Sequence, residues 1–403
     1  MPFEVTHEQE MARKIALEFA EREIIPFRER LRIEDEEFID QLEKKEANAG
    51  FHLAIIPRDE GGSGLGQVGR ALILEELEAA FPRMVNSHIF HVEFAYAFAR
   101  ACGGVVKEKW MPRILRGEAT ATPFINEAQG GSDVMNYTTM ARKDGDSWII
   151  NGRKCFISSG HKADFGMILL KTGDPKDPAS PGARALTAFI LEKDMPGYKV
   201  ERVEKSMAGY YTASLAFDNV RVPDSYMVPP GIGRGMTPVF GAVWDVGRLG
   251  IGAMLVGCIL GCCRCSVKFA KERVLFGKPI HDMQAIRHRI AEMYTDLSAA
   301  RLLVYRAAAL RDQGLSSGLE QSVAKYYCTQ AAIRASLHAI NIHGGSGIMD
   351  EYMPQAYYRY APLLISAGGT DEIMKDAIGR SAIQGANPVM GANPAETSGF
   401  EIM

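Results

Sequence analysis

The chain has 403 residues, too many for one ordinary core and suited to two or three domains. Hydrophobic residues are 47% and charged residues 24%, which excludes collagen-like, disordered and disulfide-scaffold classes. Lys and Arg number 46 against 49 Asp and Glu, a net charge of -3, so no basic excess exists to drive nucleic-acid binding.

Residues 1–118 read as helical. Thr6, followed by Glu8, Gln9 and Glu10, predicts an N-cap with acids in the first turn. Met11, Ile15, Leu17 and Phe19 then recur along one stripe. The run from Pro57 to Gly62 breaks the pattern, and helices are predicted again over 69–80 and 84–101. Across 119–232 the period becomes two. Short strands are predicted at 148–152, 156–160, 165–171, 186–192, 198–203 and 213–220, a spacing that suggests a compact barrel or sandwich. Over 233–383 long helical patterns return, at 243–272, 283–313, 316–342 and 371–383, as in a bundle. Residues 384–403 form a tail with two Gly-Ala-Asn-Pro repeats. Helices, then strands, then a bundle, without alternating strand–helix units, argue against a doubly wound nucleotide fold.

No signal peptide is expected, and the most apolar stretch, 249–263, falls short of the roughly 20 residues a spanning helix needs. The expectation is no membrane and no nucleic acid. Seven cysteines without framework spacing point to a reducing, cytoplasmic setting. Cys258, Cys262, Cys263 and Cys265 sit in one apolar helix, where they read as small core side chains rather than a metal site.

Three segments carry candidate chemistry. Asn126-Glu127-Ala128-Gln129-Gly130-Gly131-Ser132-Asp133 joins the helical block to the strands; it is either a ligand-approaching loop or an ordinary capped one. Phe156 and Ser158 share a strand face, an arrangement able to stack on and hydrogen-bond a flat heterocycle. Arg273, at the end of the first bundle helix, could grip a phosphate. Taken alone, each also has a purely structural reading.

In this order the segments resemble the acyl-CoA dehydrogenase family. Residues 123–160 resemble its T-E-P-x-A-G-S-D loop and I-N-G-x-K-x-W-I-T strands. Arg273 to Gln284 resembles R-x-x-F-G-K…Q-A-I, and His343 to Gly347 resembles L-G-G-x-G. Gly368-Gly369-Thr370 falls where E-G-T stands, and 57–65 resembles P-E-x-x-G-G-x-G-L. The resemblance covers roughly 5–383. It implies an α+β fold: an N-terminal helical domain, a middle β domain and a C-terminal four-helix bundle, in homotetramers. It also implies bound FAD, an acyl-CoA substrate and electron-transfer flavoprotein as electron acceptor.

By motif position, Phe156 would stack on the flavin, Ser158 would meet its pyrimidine edge, and Ile125 and Asn126 the opposite edge. Ser132 would serve pyrophosphate or the pantetheine of CoA. Arg273, Phe276 and Gln284 would reach the pyrophosphate and adenosine of a neighbouring subunit's cofactor. Gly345, Thr370 and Glu372 would approach the adenine half.

The departures bear on the reaction. The family's base is a glutamate before G-T or, in a minority, before the arginine of the first bundle helix. Those positions are Gly368 and Gly247 here. Three possibilities follow: another base, a reaction needing none (reduction or desulfination-type elimination on a thioester), or a catalytically silent FAD/CoA-binding subunit. The 84–101 helix resembles the wall of the family's acyl pocket and carries His88, His91 and Glu93. Val85, Ile89 and Glu93 share one stripe, which makes Glu93 the first candidate base and His91 the second. The alternative for Glu93 is an ordinary ion pair between helices. Its polar residues argue for an unusual or alicyclic acyl group over a long plain chain. Asp245 lies about 200° around a regular helix from Gly247, so it is placed on CoA, while Arg248 and Gly368 would flank the substrate.

Overall fold

A computed structural model describes residues 4–83, 87–172 and 186–385. In chain order its helices begin with α1 (His7–Phe19), α2 (Arg28–Arg32), α3 (Glu36–Asn48), α4 (Gly66–Ala80), α5 (His88–Cys102) and α6 (Gly104–Leu115). The strands are β1 (Ala121–Phe124), β2 (Met140–Asp144), β3 (Ser147–Ser158), β4 (Phe165–Lys171), β5 (Leu186–Glu192), β6 (Tyr198–Lys205) and β7 (Tyr211–Pro223). Then come α7 (Met236–Ala242), α8 (Leu249–Glu272), a hairpin of β8 (Val274–Leu275) and β9 (Lys278–Pro279), α9 (Gln284–Asp312), α10 (Gly318–His343), α11 (Pro354–Tyr360) and α12 (Asp371–Ile383). The architecture is the expected α+β one of helical, β and helical domains.

The chain divides into two compact units. One contains α1, α4 and everything from Gly247 onward. Its centre is α8, buried from Leu249 through Cys263 and packed against α4, α9 and α10. A Cβ on Gly257 would lie 2.7 Å from the Glu75 carbonyl oxygen, so only glycine lets α4 and α8 approach this closely. The four cysteines near 260 are free thiols of this helix, and no cluster able to hold a metal occurs among the described residues. Acidic residues of α4 are buried but paired: Glu75 with Arg301 and Tyr305, and Glu76 with Arg13 at 2.7 Å and Arg264 at 2.8 Å.

The second unit contains Glu43–Leu53 and the described residues up to Val246. Its seven strands form one sheet in the order β1-β4-β2-β3-β7-β6, with β5 on β4. β1 and β2 pair parallel to β4, and the other pairings are antiparallel. β4 and β5 are buried from end to end except for their last residues, in keeping with sequences apolar but for Thr187 before those ends. Trp148, Ile150, Ile157, Phe189 and Phe217 are among the residues filling the core beneath them.

Four expectations change. The strands predicted at 148–152 and 156–160 are one strand, β3, which absorbs its turn-like residues as two bulges. The helix predicted from Val243 is regular only from Leu249, and Val243–Arg248 is π-helical. The 200° separation of Asp245 from Gly247 assumed a regular helix and does not hold in that wider turn. The helical run Met236–Glu272 is long and apolar enough to cross a bilayer, but its most apolar window is wholly buried within the fold. Thr6 caps α1 with a reciprocal bond from Gln9, as predicted. Val85 and the tail beyond Gly385 lie outside the described residues.

Candidate functional site

In the second unit the site is built on the loop 125–133 and the end of β3. The buried Glu127 carboxylate organises both. It accepts hydrogen bonds from Thr138 N at 2.7 Å, Thr138 Oγ1 at 2.8 Å and Thr139 N at 3.2 Å. Gln129 Nε2 donates at 2.8 Å, and Lys154 Nζ at 2.9 Å, the latter also donating to the Ile125 carbonyl at 2.8 Å. Burial pushes the Glu127 carboxyl up, but the Lys154 charge and these donors outweigh it and hold the group at about 2. A further bond, Cys155 N to Asn126 O at 2.9 Å, ties the loop to the strand. Neither Glu127 nor Lys154 was singled out from sequence. A carboxylate and a lysine 27 residues apart carry no pairing signal until the sheet folds.

The second bulge of β3 falls between Lys154 and Ile157. It puts Phe156 at a φ of 53°, in the left-handed region that non-glycine residues rarely occupy. The ring is therefore turned out of the sheet and is 62% exposed, while Ile157 enters the core. Phe156 is exposed and Ser158 half-buried, with Ile157 between them in the core, and a bulge rather than plain alternation sets this geometry. An outward apolar ring flanked by a partly exposed hydroxyl fits a flat, polar-edged ring system. Ile125 and Asn126 are half-buried beside it in the loop, and Ser132 is exposed.

On α5 the predicted base candidates face in opposite directions. His91 Nδ1 bonds the Ala121 carbonyl of β1 at 3.2 Å. Burial drives this ring down to about 4. Glu93, two residues on, lies about 200° around the helix from His91 and is fully buried. Its stripe continues through Ala97, which is half-buried, to the exposed Arg100. Asp245 is half-buried in the π-helical stretch.

In the other unit, Arg273 ends α8 and is exposed. Phe276 sits at the tip of the β8–β9 hairpin with its ring 91% exposed and a φ of 52°. Gln284, exposed, opens α9. Gly345 belongs to a short 3-10 helix, with open space where a side chain would stand. Thr370 caps α12, accepting from Ile373 N at 3.2 Å, and Glu372 is exposed in its first turn.

The loop before α12 is fastened much like the loop 125–133. Lys325 Nζ donates to Asp371 at 2.8 Å and to the Ile365 carbonyl at 2.7 Å, with both side chains buried. Arg248 Nε donates to the Gly368 carbonyl at 2.9 Å, and Nη1 lies 3.4 Å from Ser322 Oγ. Burial lowers the Arg248 guanidinium to about 10. Gly368 has a φ of 65°, and a Cβ there would lie 3.1 Å from Ile251 Cδ1. The backbone is shaped for glycine, and Ile251 closes the space a side chain would enter.

Comparison with known proteins agrees with these features. Three family profiles match: acyl-CoA dehydrogenase N-terminal domain over residues 6–118, middle domain over 124–220 and C-terminal domain over 233–383. The chain is 34% identical over 393 residues to acryloyl-CoA reductase (NADH) of Anaerotignum propionicum, covering 95% of this chain and 96% of that protein. It is 33% identical over 384 residues to an acyl-CoA dehydrogenase of Bacillus subtilis (strain 168), covering 94% and 99%. The structure of butyryl-CoA dehydrogenase from Megasphaera elsdenii superposes with a TM-score of 0.86 at 28% identity, covering 95% of this chain and all of that one.

Proposed function

This chain belongs to the acyl-CoA dehydrogenase family, and from that premise we propose that it dehydrogenates an acyl-CoA thioester between its α and β carbons with Glu93 as the base. The family's members are flavin oxidoreductases acting on CH–CH bonds, and they bind FAD. When bound, FAD supplies the acceptor for the hydrogen leaving the β carbon.

The chain's own residues then have distinct tasks. Phe156 stacks on the flavin ring, and Ser158, Ile125 and Asn126 border its polar edges. Ser132 serves the pyrophosphate or the pantetheine, and Asp245 the CoA. Gly345, Thr370 and Glu372 line the adenine half. Arg273, Phe276 and Gln284 reach the cofactor of a neighbouring subunit in a homotetramer, and their exposure supports that role. Arg248 and Gly368 flank the acyl group. Electron-transfer flavoprotein takes the electrons onward. Seven free thiols support a cytoplasmic setting.

The observation that carries the reading is Glu93. It is a fully buried carboxylate on the stripe of α5 opposite the one tied to β1, in a chain with glycine at both of the family's base positions. An α-proton is removed by a group enclosed with the substrate away from bulk water, and Glu93 is the enclosed carboxylate of this helix. His91 is the weaker choice, because a ring held near 4 is a poor proton acceptor at neutral pH.

A second reading, reduction or desulfination-type elimination without a base, is favoured by Gly368 and Gly247 and by the likeness to a reductase. One experiment separates the readings. Flavin absorbance is followed on adding saturated, alicyclic and sulfinated acyl-CoAs, and the reduced protein is then offered enoyl-CoAs. Bleaching by a saturated thioester that slows by about 10²–10⁴-fold in Glu93→Gln, with FAD retained, supports the base. Equal rates in the variant discard Glu93 as the base. Release of sulfite or reoxidation by an enoyl-CoA, without bleaching by saturated thioesters, supports the second reading. No response to any thioester leaves a silent FAD/CoA-binding subunit.

A further inference from the structure

Three histidines take three carbonyls of one short segment, residues 115–121. His52 Nε2 lies 3.3 Å from the Leu115 carbonyl, His88 Nε2 bonds the Gly117 carbonyl, and His91 Nδ1 lies 3.2 Å from that of Ala121. The three rings come from two places, the turn after α3 and the first turn of α5. The segment they hold runs from the end of α6 into β1. Four residues beyond Ala121, the chain enters the loop 125–133.

A carbonyl only accepts, so each bonded nitrogen carries the proton. The other nitrogen of His52, Nδ1, and that of His91, Nε2, are buried with no hydrogen-bond partner among the described residues. Both residues are almost fully enclosed, at 1% and 3% exposure. A second proton on either ring would create a buried cation with no acceptor for it. The hydrogen bonds alone would tolerate a charged ring; it is burial, with no acceptor for the second N–H, that keeps His52 and His91 neutral.

The charged groups on the elements packed around α5 do not relieve this. On α6, Arg113 donates to the Glu118 carbonyl and lies 3.5 Å from Asp164, and Lys109 pairs with Glu192. Lys107 is half-buried and Glu108 exposed on the same helix, α7 and β1 bring no charge, and β4 brings only Lys171 at its end. Asp164 accepts from Thr120 N at 2.9 Å, and so holds the same segment. Glu46 is buried in α3, and Glu93 and Arg100 lie on the far stripe of α5. The neighbours whose charge acts on the His91 ring are His88 and His161, and His88 acts on His52. No carboxylate is among them.

We propose that His52, His88 and His91 form a positioning clamp that seats the entrance to β1, and with it the loop 125–133, and that the clamp opens on acidification. The direction follows from where protons bind. The closed clamp excludes a proton that an opened segment would accept. With His91 held at about 4 against an ordinary 6.5, opening becomes about tenfold more favourable per pH unit below 6.5, down to about 4.

That the loop 125–133 borders a flavin rests on the function proposed above, but the clamp itself does not. Hydrogen exchange of the FAD-loaded protein, with no thioester present, reads it alone. Protection factors, corrected for intrinsic exchange, are compared between pH 7.5 and 5.5. The expected result is a loss of about tenfold or more across 115–126, with strands β3 and β7 little changed. His91→Asn keeps a donor near the Nδ1 position but cannot take up the proton, so it should flatten that loss. His52→Gln does the same for Nε2 and serves if the first variant folds poorly. His91→Leu should lower protection of 115–126 at both pH values, with His91→Asn restoring it at pH 7.5. A uniform response of the whole unit in the wild type, or an unchanged pH response in both His91→Asn and His52→Gln, would overturn the clamp.

Discussion

Lys154 and Glu127 form an ion pair at 2.9 Å with side chains 0% and 2% exposed, and the same ammonium group caps the carbonyl of Ile125. Lys325 and Asp371 repeat the arrangement in the other unit, with Ile365 as the capped carbonyl. Each pair locks a loop that carries proposed ligand-binding residues. A charge bonded to both its counter-charge and a backbone oxygen is satisfied only when the loop is in place. Such pairs add specificity of conformation more surely than net stability.

Removing one partner should therefore be far worse than removing both. Lys154→Met strands the Glu127 carboxylate, and a loss of about 3–5 kcal/mol in urea unfolding is expected. Lys154→Met combined with Glu127→Leu should recover part of that loss. Additive effects of the two substitutions would refute the coupling.

Acid should release the same loop. Glu127 is held at about 2 against an ordinary 4.5, so its contribution is present above 4.5 and disappears as pH falls through 2. Glu127→Gln should flatten the acid limb of unfolding between those values. Far-ultraviolet circular dichroism during acid titration of both proteins makes the comparison.

Asp371→Asn leaves the Lys325 ammonium buried without its counter-charge. The expected cost is again about 3–5 kcal/mol, with proteolysis appearing first in the segment 361–371. Protease-sensitive sites mapped by mass spectrometry test the location, and cleavage starting elsewhere would contradict it.

Phe156→Ala separates binding from folding. The ring is 62% exposed, so its removal should change unfolding stability by no more than about 0.5 kcal/mol. Loss of one stacking face should weaken flavin binding by about 0.5–1.5 kcal/mol. Titration of apo-protein with FAD, beside urea unfolding of the same apo-protein, reads the two quantities. A large stability loss with unchanged FAD affinity would make Phe156 structural.

Gly368→Glu puts a carboxylate on a backbone made for glycine. Left-handed φ costs roughly 1–2 kcal/mol for a side-chain-bearing residue, and Ile251 Cδ1 must move from 3.1 Å. A lowered unfolding midpoint is expected in an otherwise folded protein. Combined with Glu93→Gln, it should return part of the flavin reduction by saturated acyl-CoA, measured by stopped flow. No recovery in a folded, FAD-loaded double variant would indicate that loss of a base is not what limits Glu93→Gln.

Local signals identified most elements. The Thr6 capping box, the largely apolar strands 165–171 and 186–192, and the helix 371–383 all depend on neighbours in sequence, and all formed as predicted. The failures lie where a partner strand or helix decides. Gly152 and Phe156 look like turn and strand-start residues, yet β7 pairs along the whole of β3 and turns them into bulges. Val243–Arg248 has an apolar helical pattern, and nothing local marks its shift to π geometry.

The candidate site divides along the same line. Order and spacing of motifs were sufficient to name the family, because residue identity is a property of the chain. Which side chains are enclosed, and by what, belongs to the fold. Glu93 and His91 are two letters apart and equally polar. Only the seating of α5 against β1 gives His91 a carbonyl to hold and turns Glu93 the other way, since a helix advances 100° per residue and its neighbours decide what each direction meets. Likewise, the acids and lysines of the two buried pairs are ordinary surface residue types in the sequence. Long-range packing removed them from water and left each with one charged partner it could reach.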